Sequence, residues 1–259
     1  MAIRTISNAG GNYNTTGAWV EGIVPTSADD VIATATSGNL TVTAIADALS
    51  IDFTNYLGTL TINQPLRIFG NVNLGTGAYN ITGTNSLATM TTSTITSNGT
   101  PFKGNIAFSN NNTIVTLADD LTINGVATFN GTTVTINGNN LHLKSSMQFI
   151  SSLTVQGTTN FNFIGTGSWT ETGNGILKNN FTINTSGTFT MVGSLLNYNT
   201  GTFKYISGTV IATGSTFTIA ANTTLDTNGI IFNNVTFGGA SQTYCLASNL
   251  TTTGTAEEK

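Results

Sequence analysis

The chain has 259 residues, but only 7% of them are charged, and the formal net charge is −4. So few charges make an unusual surface for a cytosolic enzyme. The seven basic residues, scattered singly from Arg4 to Lys259, cannot form the phosphate-neutralising patch that nucleic-acid binding requires. A single cysteine (Cys245) and a single histidine (His142) exclude an intrachain disulfide and fall short of a zinc site, and no cofactor is expected.

The first element, residues 1–36, differs from the rest. Gly10-Gly11-Asn12-Tyr13-Asn14-Thr15-Thr16-Gly17-Ala18-Trp19 is followed by the first proline, Pro25, and an acidic pair, Asp29-Asp30. These residues are expected to cap the strands after them, with Trp19 covering an exposed core end. The N-terminus lacks the apolar stretch of a signal peptide, and no run approaches the roughly 18 apolar residues of a membrane span. With Met1 as the natural start, the expectation is synthesis in the cytoplasm without ordinary export and without membrane insertion.

Residues 37–254 read as one long series of short strands. Leu40-Thr41-Val42, Leu60-Thr61-Ile62, Leu121-Thr122-Ile123, Val134-Thr135-Ile136, Phe181-Thr182-Ile183 and Phe217-Thr218-Ile219 each place apolar residues at i and i+2 with Thr between them. That is the period of a strand with one buried face. Asn and Gly close most segments, as in Asn124-Gly125 and Asn137-Gly138, because both tolerate left-handed corners. Only Ala44 to Ile51 could be helical, for two turns at most, and it reads equally well as a strand. Spacings near twenty residues (Leu40 to Leu60, Leu121 to Leu141), the uniformity of the unit, and the 52 Thr and 33 Asn favour a parallel solenoid in which like side chains stack into ladders. Roughly eleven coils at about 4.8 Å each would make a rod on the order of 50 Å long.

A longer repeat overlies this period. Residues 98–125, from Asn98-Gly99 through Phe102 and Leu117-Ala118-Asp119-Asp120-Leu121 to Gly125, match residues 228–254, from Asn228-Gly229 through Phe232 and Leu246-Ala247-Ser248-Asn249-Leu250 to Gly254, with one residue of gap. The module is thus about 130 residues long, and a charged tail, 255–259, comes after its second copy. An open solenoid end needs a cap, because bare strand edges aggregate.

The N-terminal pattern Asn12-x-Asn14-Thr15-Thr16-x-x-Trp19-Val20-x-Gly22-x-Val24-Pro25-x-x-x-Asp29-Asp30-Val31 resembles that of β-strand-repeat (β-solenoid) structural proteins of phage virions and bacterial surface adhesins. The runs Gly201-Thr202-Phe203-Lys204-Tyr205 and Thr224-Leu225-Asp226-Thr227-Asn228-Gly229 are similar to repeats of the same group. The resemblance implies an all-β fold, a right-handed parallel β-helix with an N-terminal cap. It also implies a non-enzymatic structural or adhesive component of a phage-like virion, such as a tail or head fibre located in the virion. The runner-up is a bacterial cell-surface adhesin, and third comes an enzyme that degrades host polysaccharide. The partners expected are other virion or surface structural proteins, a host glycan receptor and further copies of the chain, a trimer by analogy with fibres.

Candidate chemistry is sparse. The acidic pairs Asp29-Asp30 and Asp119-Asp120 point to opposite sides of a strand and suit turns better than a glycosidase dyad, with calcium at such a turn as a lesser alternative. The Thr-x-Thr triplets recur at irregular intervals, against an ice-binding array, and the Asn-x-Ser/Thr sequons follow from composition. His142 is expected on the outward side of its strand, and Cys245, in Thr243-Tyr244-Cys245-Leu246, as a buried small hydrophobe. Trp169 and Tyr198 are the candidate glycan-contacting platforms, set against a role filling coil corners.

Overall fold

The computed structural model describes residues 1–77, 79–109, 111, 113–193, 196–238 and 244–258. Among them the chain is all β apart from a single 3-10 turn at Thr16–Ala18, and the ladders joining its strands are parallel. One turn shows the plan. Leu121–Ile123 lies on face one, Ala127–Phe129 on face two and Thr133–Gly138 on face three, after which Leu141–Leu143 returns to face one directly beside Leu121–Ile123. The chain is therefore a β-solenoid of about 10 turns, with its core enclosed by three stacks of strands. The segment Ala44 to Ile51 joins them as the strands Ala46–Ala48 and Ser50–Asp52.

The alternation of the sequence sets which side chains enter the core. On face one the inward row runs Leu121, Leu141, Phe161, Phe181, Phe203 and Leu225 in register, and each is buried. On face two Phe129 stacks on Phe108 at 5.1 Å between ring centroids and meets Phe149 edge-on at 5.2 Å. Burying each such ring contributes about 1.5–3 kcal/mol, and the in-register rows repeat that gain at every coil.

The central coils take 20 residues from Leu121 to Leu141 and another 20 from Leu141 to Phe161. The first circuit, from Ile3 to Asp30, takes 27, and later ones, from Phe181 to Phe203 and on to Leu225, take 22. The extra residues of the first circuit carry Trp19, which pairs in an antiparallel bridge with Ile6, stacks edge-on against Tyr13 at 4.9 Å and donates its indole N–H to the Tyr13 carbonyl at 2.8 Å.

The 98–125 and 228–254 segments share their corner geometry but sit on different faces. Phe102 lies on face one, bridged to Ile123, and Asn105–Phe108 comes next on face two. In the second copy Phe232 pairs with Thr252 on face two, and Asn234–Gly238 comes next on face three, beside 216–220. The repeat distance is thus about six turns plus one face. Each copy also interrupts a stack. Asn80–Thr82 ends a separate four-stranded sheet just before Phe102, and Ile231–Phe232 belongs to a separate two-stranded sheet. Across the first interruption the Lys103 ammonium donates to the Tyr79 carbonyl at 2.9 Å.

Candidate functional site

A run of polar side chains lies along face one and the corner that leads into it. The corner places Asp120, Asn140, Asn160, Asn180 and Thr202 one above another at the coil period. Asn140 donates from its backbone N–H and its side-chain amide to Asp120 Oδ1 at 2.9 and 3.0 Å. The Asn160 amide donates to Asn140 Oδ1 at 3.1 Å, the Asn180 amide donates to Asn160 Oδ1 at 3.0 Å, and Thr202 N–H donates to Asn180 Oδ1 at 2.9 Å. This is the asparagine ladder that in-register stacking predicts. The backbone N–H of Asn140 holds the Asp120 carboxyl below its ordinary range, with the His142 ring, 3.4 Å away, acting in the same direction.

Beside the ladder the outward row of face one runs Thr122, His142, Asn162, Thr182 and Lys204 in register. His142 to Lys204 forms the floor of a shallow groove of about 370 Å³, rimmed on the far side by Ile164, Asn184 and Ile206. Its surface is amide, hydroxyl and imidazole with one terminal cation and two apolar side chains, and Ile206 is 47% exposed. Such a surface can hydrogen-bond a polyol laid along the axis while the isoleucines cover its apolar faces. Lys204 takes part in no ion pair among the described residues.

Of the two readings of Trp169 and Tyr198, the structure shows side chains that fill the interior, and neither is a surface platform. Trp169 is fully buried on the inward row of face two, with rings of Phe149 and Phe181 each 5.7 Å away. Tyr198 is fully buried on face three against Phe203 and Phe217 and donates its hydroxyl to the Asn179 carbonyl at 2.9 Å. Burial pushes its phenol far above the ordinary range. Neither ring can stack on a sugar, because each occupies an inward position between coils. Cys245 is the opposite correction: it is exposed, since its register partner is the outward Thr224. Thr243, placed in the same strand by the sequence, lies outside the described residues.

The acidic pairs are spent on corners. Asp29 Oδ2 accepts from the backbone N–H and hydroxyl of Thr26 at 3.0 and 2.9 Å, and Arg4 lies 3.6 Å from its other oxygen. Asp119 accepts from Ser97 N–H and Asn98 N–H at 2.7 and 2.6 Å. Among the described residues no three His, Cys, Asp or Glu side chains come together in a way that could hold a metal ion. The signal that could have pointed to the groove is the 20-residue recurrence of Asn140, Asn160 and Asn180. Comparison with known proteins adds no assignment, since no family model, curated protein or solved structure matches the chain.

Proposed function

We propose that this protein is a non-enzymatic structural and adhesive rod, a fibre-like component of a phage-like virion, with the face-one groove as its contact surface for a host glycan. The observation that carries this reading is the continuous in-register core and ladder from Asp120 to Thr202. Together they stiffen the coils into a rod and present mostly amides and hydroxyls outward, between the Asp120 carboxylate and the Lys204 ammonium. Engagement of the acidic pairs at corners supports a non-enzymatic role. The resemblance of the N-terminal pattern to virion and surface β-repeat proteins supports the setting, and self-association belongs to the same reading.

Cryo-electron microscopy of the native source tests it. Rod density on a capsid or tail is the expected result and would identify the free, receptor-facing end. Density on a cell envelope would replace the virion with a surface adhesin.

A further inference from the structure

Glu171 ends the inward phenylalanine column of face two. It lies in register with Phe149, comes two positions after Trp169 in the same strand, Gly167–Glu171, and is only 9% exposed. Its Oε1 accepts the backbone N–H of Gly175, at the end of the short loop 172–175. Its Oε2 is buried without a hydrogen-bond partner, and the neighbouring indole Nε1 of Trp169 is buried in the same condition. Glycine is what the packing permits around it. A Cβ on Gly175 would meet Phe149 at 2.6 Å, and one on Gly193 would come within 3.2 Å of the Glu171 Cβ.

None of the elements packed on this carboxyl, Met147–Phe149, the loop 172–175, Ile176–Leu177 and 188–193, carries an acidic or basic residue. No counter-charge offsets ionisation, and an isolated buried carboxylate is costly. Solvent is one loop away, because Thr172 and Asn174 are exposed and Asn174 turns the corner at φ 58°.

We propose that Glu171 is a proton-operated latch in the solenoid wall: as a neutral acid it fits the aromatic column and holds loop 172–175 closed, and as a carboxylate it opens that loop to water. Desolvation by burial pushes its carboxyl up to about 7, against the weaker opposing pull of the Gly175 backbone N–H. The latch therefore operates near neutral pH. A group whose folded value is raised in this way stabilises the fold at low pH, and that contribution is lost as pH rises through the folded value.

Hydrogen exchange of the full chain tests this directly. Between about pH 5.5 and 8.5, protection of the 172–176 amides, corrected for intrinsic exchange, should fall at least about tenfold with a midpoint near 7. The corner two coils earlier, 130–132, should stay level. In Glu171→Gln the 172–176 segment should become independent of pH. Flat protection in the wild type, or an unchanged pH profile in Glu171→Gln, would overturn the proposal. Should Glu171→Gln not fold, the infrared carbonyl band of the protonated acid in the wild-type protein decides. Loss of that band near pH 7 supports the latch, and its absence above about pH 5 refutes it.

Discussion

The two copies of the 98–125 module are nearly the same corner in two different surroundings. In each, an Asn-Gly pair turns through left-handed conformations, with φ of 52° and 73° at Asn98 and Gly99 and of 36° and 94° at Asn228 and Gly229. A side chain from the next coil captures the two N–H groups that the turn leaves unpaired. Asp119 does so with two oxygens in the first copy, and in the second the single hydroxyl of Ser248 accepts from Thr227 N–H and Asn228 N–H, both at 2.7 Å. The preceding hydroxyl then reaches the next carbonyl, Ser97 to Asp120 and Thr227 to Asn249. What differs is the cover. Leu117 is 1% exposed, whereas its counterpart Leu246 is 50% exposed. A handful of residues thus dictates the corner, while burial depends on the coils stacked beyond it.

The largest expected contrast lies in the core. Phe102→Ala should cost about 3–5 kcal/mol, because a buried ring is lost between coils that cannot collapse onto the cavity, and urea denaturation should show a lower midpoint for the whole stack. Phe232, equally buried and stacked on Phe217 at 5.2 Å, sits near the last described coils. In a quasi-one-dimensional fold its loss should be confined to its neighbours. Phe232→Ala should accordingly strip hydrogen-exchange protection from 231–238 and 244–258 while leaving Leu121 to Phe163 protected. Global destabilisation by both variants would break the distinction between the two copies.

Next in size is the corner clamp. Asp119→Ala removes two charge-assisted acceptors and should cost about 1.5–3 kcal/mol, whereas Ser248→Ala removes a neutral one and should cost about 1 kcal/mol. Amide exchange at Asn98 and Asn228 reads the two sites separately. Ser248→Asp, which restores the chemistry of the first copy, should slow exchange at Asn228; faster exchange there would show that the clamps are not equivalent.

Much of this architecture is legible in the order of residues alone. Strict alternation and Asn/Gly corners specify strands, and a common period near 20 brings Asn140, Asn160 and Asn180 into one ladder. The failures have a common origin: in a solenoid the meaning of a side chain depends on its row. Ser168-Trp169-Thr170 already alternates in a way that points the indole inward, but Glu171 occupies the next inward position, where a charge breaks the apolar pattern. Asn197-Tyr198-Asn199 carries the same alternation, with Leu196 two positions earlier on the same inward row. Cys245 stands between an aromatic and a leucine, yet its register with Thr224 turns it outward. The rotation of the repeat by one face was hidden because sequence distance records residues, and the circuits differ in length.

The smallest effect is the most exacting test of the comparison. Gly99 and Gly229 adopt φ of 73° and 94°, and no atom lies within 4 Å of where a Cβ would stand on either. Their replacement by alanine is therefore opposed only by the backbone, at about 1 kcal/mol in the left-handed region. Because that cost is local, Gly99→Ala and Gly229→Ala should lower stability equally, although one lies under many coils and the other near the last. Gly138 provides the contrast, since there a Cβ would also meet the Leu117 carbonyl at 2.3 Å, and Gly138→Ala should cost more than either. Equal losses at the two corners, measured by chemical denaturation or by exchange of the adjacent Thr100 and Ile230 amides, would show that the turn is held by its own residues. A clearly cheaper Gly229→Ala would mean that the second corner draws its conformation from the stack, and that the likeness of the two copies ends at their sequence.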